Sequence, residues 1–116
     1  MPEKMSLFYI WETADFSIKL NGGDGQGGIL QGYKDVIVSF GQREILVEKD
    51  ASDSEISVDT ENDIINVHLE QDDTGKFVPN KEAFLQINIL FEDTRRDVSA
   101  QVRLAVLDNL HKGVMS

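Results

Sequence analysis

From Ala14 onward the chain alternates apolar and polar residues with a period of two, and no internal stretch offers the dozen or so helical residues that a crossover between parallel strands requires. Each run with this period reads as a half-buried strand. In "ADFSIKL" Phe16, Ile18 and Leu20 share a face, and in "DVIVSFG" the set is Val36, Val38 and Phe40. "REILVEK" follows Gly41 and Gln42 closely enough to pair with the strand before it, and "EISVDT" and "DIINVHL" are separated by Glu61 and Asn62, a hairpin-length connection. The second of these puts Ile65, Val67 and Leu69 inward. "AFLQINILF" does the same with Leu85, Ile87, Ile89 and Phe91, and "DVSAQVRLAV" with Val98, Ala100, Val102, Leu104 and Val106, across a charged "EDTRR" loop. The polar "EQDDTGKF" interrupts the alternation with room for one turn of helix.

Short strands at regular intervals with tight connections predict an all-β fold, an antiparallel β-sandwich of immunoglobulin-like topology with seven to eight strands. Residues 14–116 make one such domain, and a chain of 116 residues buries roughly two-thirds of its unfolded surface, enough for a core. Leu107, Leu110 and Val114 recur at helical spacing and predict a short C-terminal helix. Residues 1–13 differ from the rest. "LFYIW", Leu7 to Trp11, is apolar on both faces, so it reads either as an extra strand of the sandwich or as an arm that adds to the sheet edge of a neighbouring subunit. The expected partner contacts are Phe8, Ile10 and Trp11 in that segment, with Leu107, Leu110 and Val114 in the tail.

The charge balance narrows the partners. With 21 acidic against 11 basic residues, a formal net charge of -10 repels nucleic acid and anionic membrane surfaces, so neither is an expected partner. No stretch approaches the roughly 20 apolar residues that span a bilayer, and no cleavage-site pattern follows the short apolar run near the start. There is no cysteine, which removes disulfides, thiolate metal sites and cysteine nucleophiles from consideration.

Four local features invite a chemical reading. "NGGDGQGG" holds Gly23, Gly25 and Gly28 at the spacing of a dinucleotide-binding turn, but a strand rather than a helix follows, and the anion site of that motif is a helix N-terminus. The same stretch half-matches a calcium-binding repeat, with Gly27 where the aspartate ligand would stand. The expectation is a glycine-rich loop between strands. Asp50, Asp53, Glu55, Asp59, Glu61 and Asp63 crowd one region without the spacing of an EF-hand, and charged edge strands account for them without a metal. His68 lies on the polar face of its strand and His111 in the tail, too far apart in pattern to suggest a shared site. Arg95 and Arg96 sit at a hairpin tip balanced by Glu92, Asp93 and Asp97. None of these carries an enzyme signal, and no catalytic residue, cofactor or metal is expected.

From "ADFSIKLNGGDG" through "DVIVSFGQREILVEKD", "NDIINVHLEQDDTGKF", "LQINILFED" and "VSAQVRLAVLDNL", the chain resembles a group of short proteins encoded by phages and prophages of Gram-positive bacteria. More distantly, it is similar to the N-terminal domain of phage baseplate upper proteins. The phrase "VHLEQDDTGKF", with Thr74 and Phe77, carries most of the resemblance, which covers residues 14–116. It implies a structural or accessory β-sandwich of the tail or baseplate region, with other phage structural proteins or copies of itself as partners. The implied location is the virion, or the host cytoplasm during assembly. The residues before Ala14 and the "FVPNKEA" connection depart from the pattern. The rival expectation is a carbohydrate- or cell-surface-binding module in which Tyr9, Trp11 or Tyr33 stacks on sugars; a calcium-dependent domain ranks behind both.

Overall fold

The computed structural model describes residues 6–20, 28–99 and 101–115. Among them are nine strands: β1 (Ser6–Tyr9), β2 (Ala14–Lys19), β3 (Tyr33–Gln42), β4 (Ile45–Asp50), β5 (Ile56–Asp59), β6 (Ile64–Leu69), β7 (Glu82–Phe91), β8 (Arg96–Val98) and β9 (Val102–Leu107). One helical turn, α1 (Gln71–Thr74), fills the expected place between β6 and β7. Strands β3 and β4 form a hairpin closed by Gln42 opposite Ile45, with Arg43 at positive φ in the turn. Strands β5 and β6 form a second, and Asp63, also at positive φ, delivers the chain into β6.

The strands form two sheets. The larger has the order β1-β9-β7-β3-β4, with β8 also pairing to β7, and the smaller has the order β2-β6-β5. They meet through the side chains that period two places inward. Val36, Val38, Phe40, Leu85, Ile87 and Leu104 of the large sheet and Ile65, Val67 and Leu69 of the small one are buried, and Phe16, Ile18 and Val58 pack partly buried against them. Burying a side chain of this size stabilises the fold by roughly 1.5–3 kcal/mol. The inner face is therefore the principal reason that this alternation becomes a sandwich. No helix of the described residues is long and apolar enough to cross a membrane.

Three details depart from the sequence expectation. "DVSAQVRLAV" is two strands, because Ser99 turns aside: its Oγ accepts the Ile87 N–H at 2.9 Å and its own N–H reaches the Ile87 carbonyl at 2.8 Å. The interruption leaves Val98 and Val102 exposed while Leu104 and Val106 remain buried, and Ala100 lies outside the described residues. The sandwich is not wholly antiparallel, since β1 runs parallel to β9. Finally, the C-terminal helix does not form. Leu107 ends β9, and Leu110 and Val114 are exposed with no apolar surface to cover. Both backbone groups of Met115 are instead bonded by the Gln71 side chain, at 2.7 Å and 3.1 Å, and Gly113 takes a positive φ.

Residues 10–13 carry the chain from one sheet to the other, and their anchors are specific. The Ile10 N–H donates to the Leu107 carbonyl at 3.1 Å, and Asn109 Nδ2 donates to the Ile10 carbonyl. The fully buried Thr74 hydroxyl accepts from the Glu12 N–H and donates to the Glu12 carbonyl. Trp11, at positive φ, lies on Gly75, where an added Cβ would sit 2.5 Å from the indole ring. Gly75 itself has an ordinary helical φ of -66°. Gly75→Ala therefore costs about 1–3 kcal/mol through overpacking alone, and displacement of the sole tryptophan shifts its fluorescence emission. Urea titration followed at that emission checks both.

Candidate interaction surface

Residues of the large sheet that point away from the core are less polar than the alternation alone would give. Leu46 of β4 and Phe84 of β7 both register on Gly41, whose missing side chain leaves a shallow depression between them. Ser39, Gln86 and Gln101 also line it, and its volume of 250 Å³ falls below the range of about 300–1,000 Å³ typical of small-molecule sites. Along the same face Val98 follows Asn88 and Ile37, Leu7 lies beside Ala105, and Tyr9 lies beside Leu107. Leu7, Tyr9, Leu46, Phe84 and Val98 are between 38% and 60% exposed, which gives the outer sheet face a scattered apolar surface. Its charges include Glu48, Asp50, Glu82, Arg96 and Arg103 and are partly paired: Ser39 donates to Glu48 at 2.8 Å, Arg103 lies 3.6 Å from Glu82, and Arg96 donates twice to Asn88 Oδ1. Arg95 stacks on the Phe91 ring at 4.3 Å.

The residues expected to make contacts divide sharply. Phe8 and Ile10 are each 3% exposed and belong to the core, and residues 6–9 pair as β1 with β9, so these two side chains turn away from the surface. Trp11 is half-buried on Gly75, Leu107 is half-buried in β9, and Leu110 and Val114 are exposed in the tail. Leu7 and Tyr9, the neighbours of Phe8, are the outward residues of that segment. The signal for Leu46 and Phe84 was an apolar residue at a polar parity, in "EILVE" and "AFLQ". Of the rival's aromatics, Tyr9 is exposed, whereas Trp11 and Tyr33 are partly packed against the core.

The other motifs resolve into structure. Asn21 to Gly27 lie outside the described residues, so the glycine loop is visible only at its exit, where the buried Asp63 accepts the Gly28 N–H at 2.9 Å and the Leu30 N–H at 3.3 Å. The acidic stretch uses its carboxylates to close turns. Hydrogen bonds from the Asn62 side chain and backbone hold the Asp59 carboxyl below its ordinary range, and Ser52 does the same to Asp50. Among the described residues no group of three or more histidine and acidic side chains is placed to hold a metal ion.

His68 stands between two carboxylates on the outer face of the small sheet, with Nδ1 at 2.7 Å from Asp15 and Nε2 at 3.1 Å from Glu70. The hydrogen bond with Asp15, and then the two negative charges, raise its pKa above the ordinary value despite some desolvation. A raised folded-state pKa contributes stability that is complete below the unfolded value of about 6.5 and disappears as pH rises through the folded value. The melting temperature of the native chain should therefore fall on going from pH 6 to pH 8 by more than that of His68→Gln. Equal slopes would remove this ion pair from the account.

Comparison with known protein families and with curated proteins returns no match for this chain.

Proposed function

We propose that the chain is a non-enzymatic structural or adaptor component of a phage or prophage particle, in the tail or baseplate region, that works through protein–protein contacts. The observation that carries this reading is the outer face of the large sheet, where Leu7, Tyr9, Leu46, Phe84 and Val98 are exposed on a six-strand scaffold. A chain with a net charge of -10 has ample polar residues to cover that face, and apolar side chains there suit a protein contact. The resemblance of residues 14–116 to short phage-encoded proteins supplies the particle.

The finer fold reading is immunoglobulin-like. It is supported by the strand order, in which the second, sixth and fifth strands form one sheet and the first, third, fourth, seventh, eighth and ninth form the other, with the ninth, seventh, third and fourth adjacent as in a variable-type sandwich. The chain has no cysteine, so the inter-sheet disulfide of antibody domains has no counterpart here, and apolar side chains of both sheets close the core.

Mass spectrometry of density-purified particles from the bacterium that carries the gene tests the assignment. The chain is expected at stoichiometric abundance in tail-containing particles or their assembly intermediates, and its absence from both would remove the reading. Phe84→Glu, which places a charge in the middle of the face, should reduce incorporation at unchanged folding stability.

A further inference from the structure

We infer that the free edge of β1 is a self-pairing edge, at which two copies of the chain join their large sheets about a twofold axis. An exposed sheet edge is a template for another strand, and proteins blunt such edges with charges, proline or bulges. The other four open-edged strands among the described residues are blunted in that way, the short β8 by Arg96 and Asp97. Strand β4 carries Glu48, Lys49 and Asp50, strand β2 carries Asp15 and Lys19, and strand β5 carries Asp59. Strand β1, "SLFY", has no charge and no proline, and no strand among the described residues lies on its far side.

The direction of its backbone groups fixes the register. The Ile10 N–H points to Leu107 of β9, and in a parallel ladder alternate residues turn both backbone groups to the same side. Phe8 and Ser6 therefore face β9, and Leu7 and Tyr9 present their N–H and C=O groups outward. An antiparallel partner must match outward residues with outward residues. Within the described strand, a twofold axis through Phe8 does so, setting Leu7 opposite Tyr9 of the second copy and Tyr9 opposite its Leu7. Each pair exchanges two backbone hydrogen bonds. The Tyr9 carbonyl, which already takes a long 3.4 Å bond from the Glu12 N–H, has a second lone pair for the partner. On the outer face the two Leu7–Tyr9 pairs extend the row already made by Ala105 and Leu107, and an aromatic beside a branched aliphatic is a favourable cross-strand pair.

A second copy is the occupant for two reasons. The register above is self-complementary, and a partner carrying the same charge of -10 can approach closely only where the chain presents no charge. The inference rests on the edge alone and not on the particle proposed above, so the two fail separately.

Sedimentation velocity over a concentration series should show the mass rising from 13.0 kDa to twice that value. Leu7→Pro removes an outward N–H without touching a bond to β9, and Leu7→Lys charges the edge; both should remain monomeric, and the second serves if proline disturbs folding. Register is read by cross-linking, because the native chain has no cysteine. An oxidised mixture of Leu7→Cys and Tyr9→Cys chains should form the mixed disulfide, with Cα atoms about 5.5 Å apart. Either variant alone, with its own copies offset to about 8 Å, should not. A monomer at every concentration, a dimer that survives both Leu7 substitutions, or equal cross-linking by a single variant would overturn the inference.

Discussion

Replacing Asp73 with alanine is expected to lower folding stability by about 3–5 kcal/mol, the range for breaking a buried ion pair by removing one partner. Asp73 holds three parts of the fold together. Its carboxylate lies 3.0 Å from Lys49 Nζ on β4, accepts the Glu70 N–H at 3.0 Å as half of a capping box, and so ties an edge of the large sheet to α1 at the end of the small one. Both side chains are at least 85% buried, which places the pair well outside the weak class of surface salt bridges. In the alanine variant Lys49 retains only Glu55, at 3.5 Å. Burial pulls the Lys49 ammonium down, but hydrogen bonding and attraction from Asp73 and Glu55 outweigh it, so its pKa lies above the ordinary value. Its contribution is therefore complete below about pH 10 and lost only as pH rises through the folded value. Asp73→Asn keeps an acceptor for Glu70 and should lose less than alanine. Urea denaturation of the three proteins at pH 7 measures the series; a loss below about 1 kcal/mol for alanine would show that the pair is as weak as a surface bridge.

Phe8→Ala is expected to cost a similar amount, about 3–5 kcal/mol, for a different reason. The ring is edge-on to Phe77 at 5.3 Å and to Phe16 at 6.3 Å, so its removal opens a cavity at the junction of both sheets and the connection after α1. This result separates an integral strand from a detachable arm. If β1 were an arm, truncating Phe8 would leave the melting temperature unchanged. The measurement is again an equilibrium unfolding curve, and an unchanged slope with a lower midpoint would mark a loss of stability without a change in what unfolds.

The alternation made the inner face legible: Val36, Val38, Phe40, Ile65, Val67, Leu69 and the β7 set are buried where period two puts them. The hairpins were legible as well, because few connections of two to four residues can do anything else. Tertiary hydrogen bonds were not. Ser99, an unremarkable residue in a run of alternating apolar positions, splits one expected strand in two by bonding across to Ile87. Likewise the parallel docking of β1 depends on Thr74, Gly75 and Asn109, each distant from it in sequence. The helical spacing of Leu107, Leu110 and Val114 was a pattern with nothing to pack against. Of the segment expected to make contacts, Phe8 and Ile10 turn inward, and Leu7 and Tyr9 remain outside.

Amide hydrogen exchange along Leu7 to Ile10 tests the central claim, that β1 is a strand of its own chain's sheet with one edge open, most directly. In dilute solution the Phe8 and Ile10 amides, which face β9, should exchange as slowly as those of β7, while Leu7 and Tyr9 exchange quickly and gain protection only as concentration rises. Fast exchange at all four positions at every concentration would contradict the account.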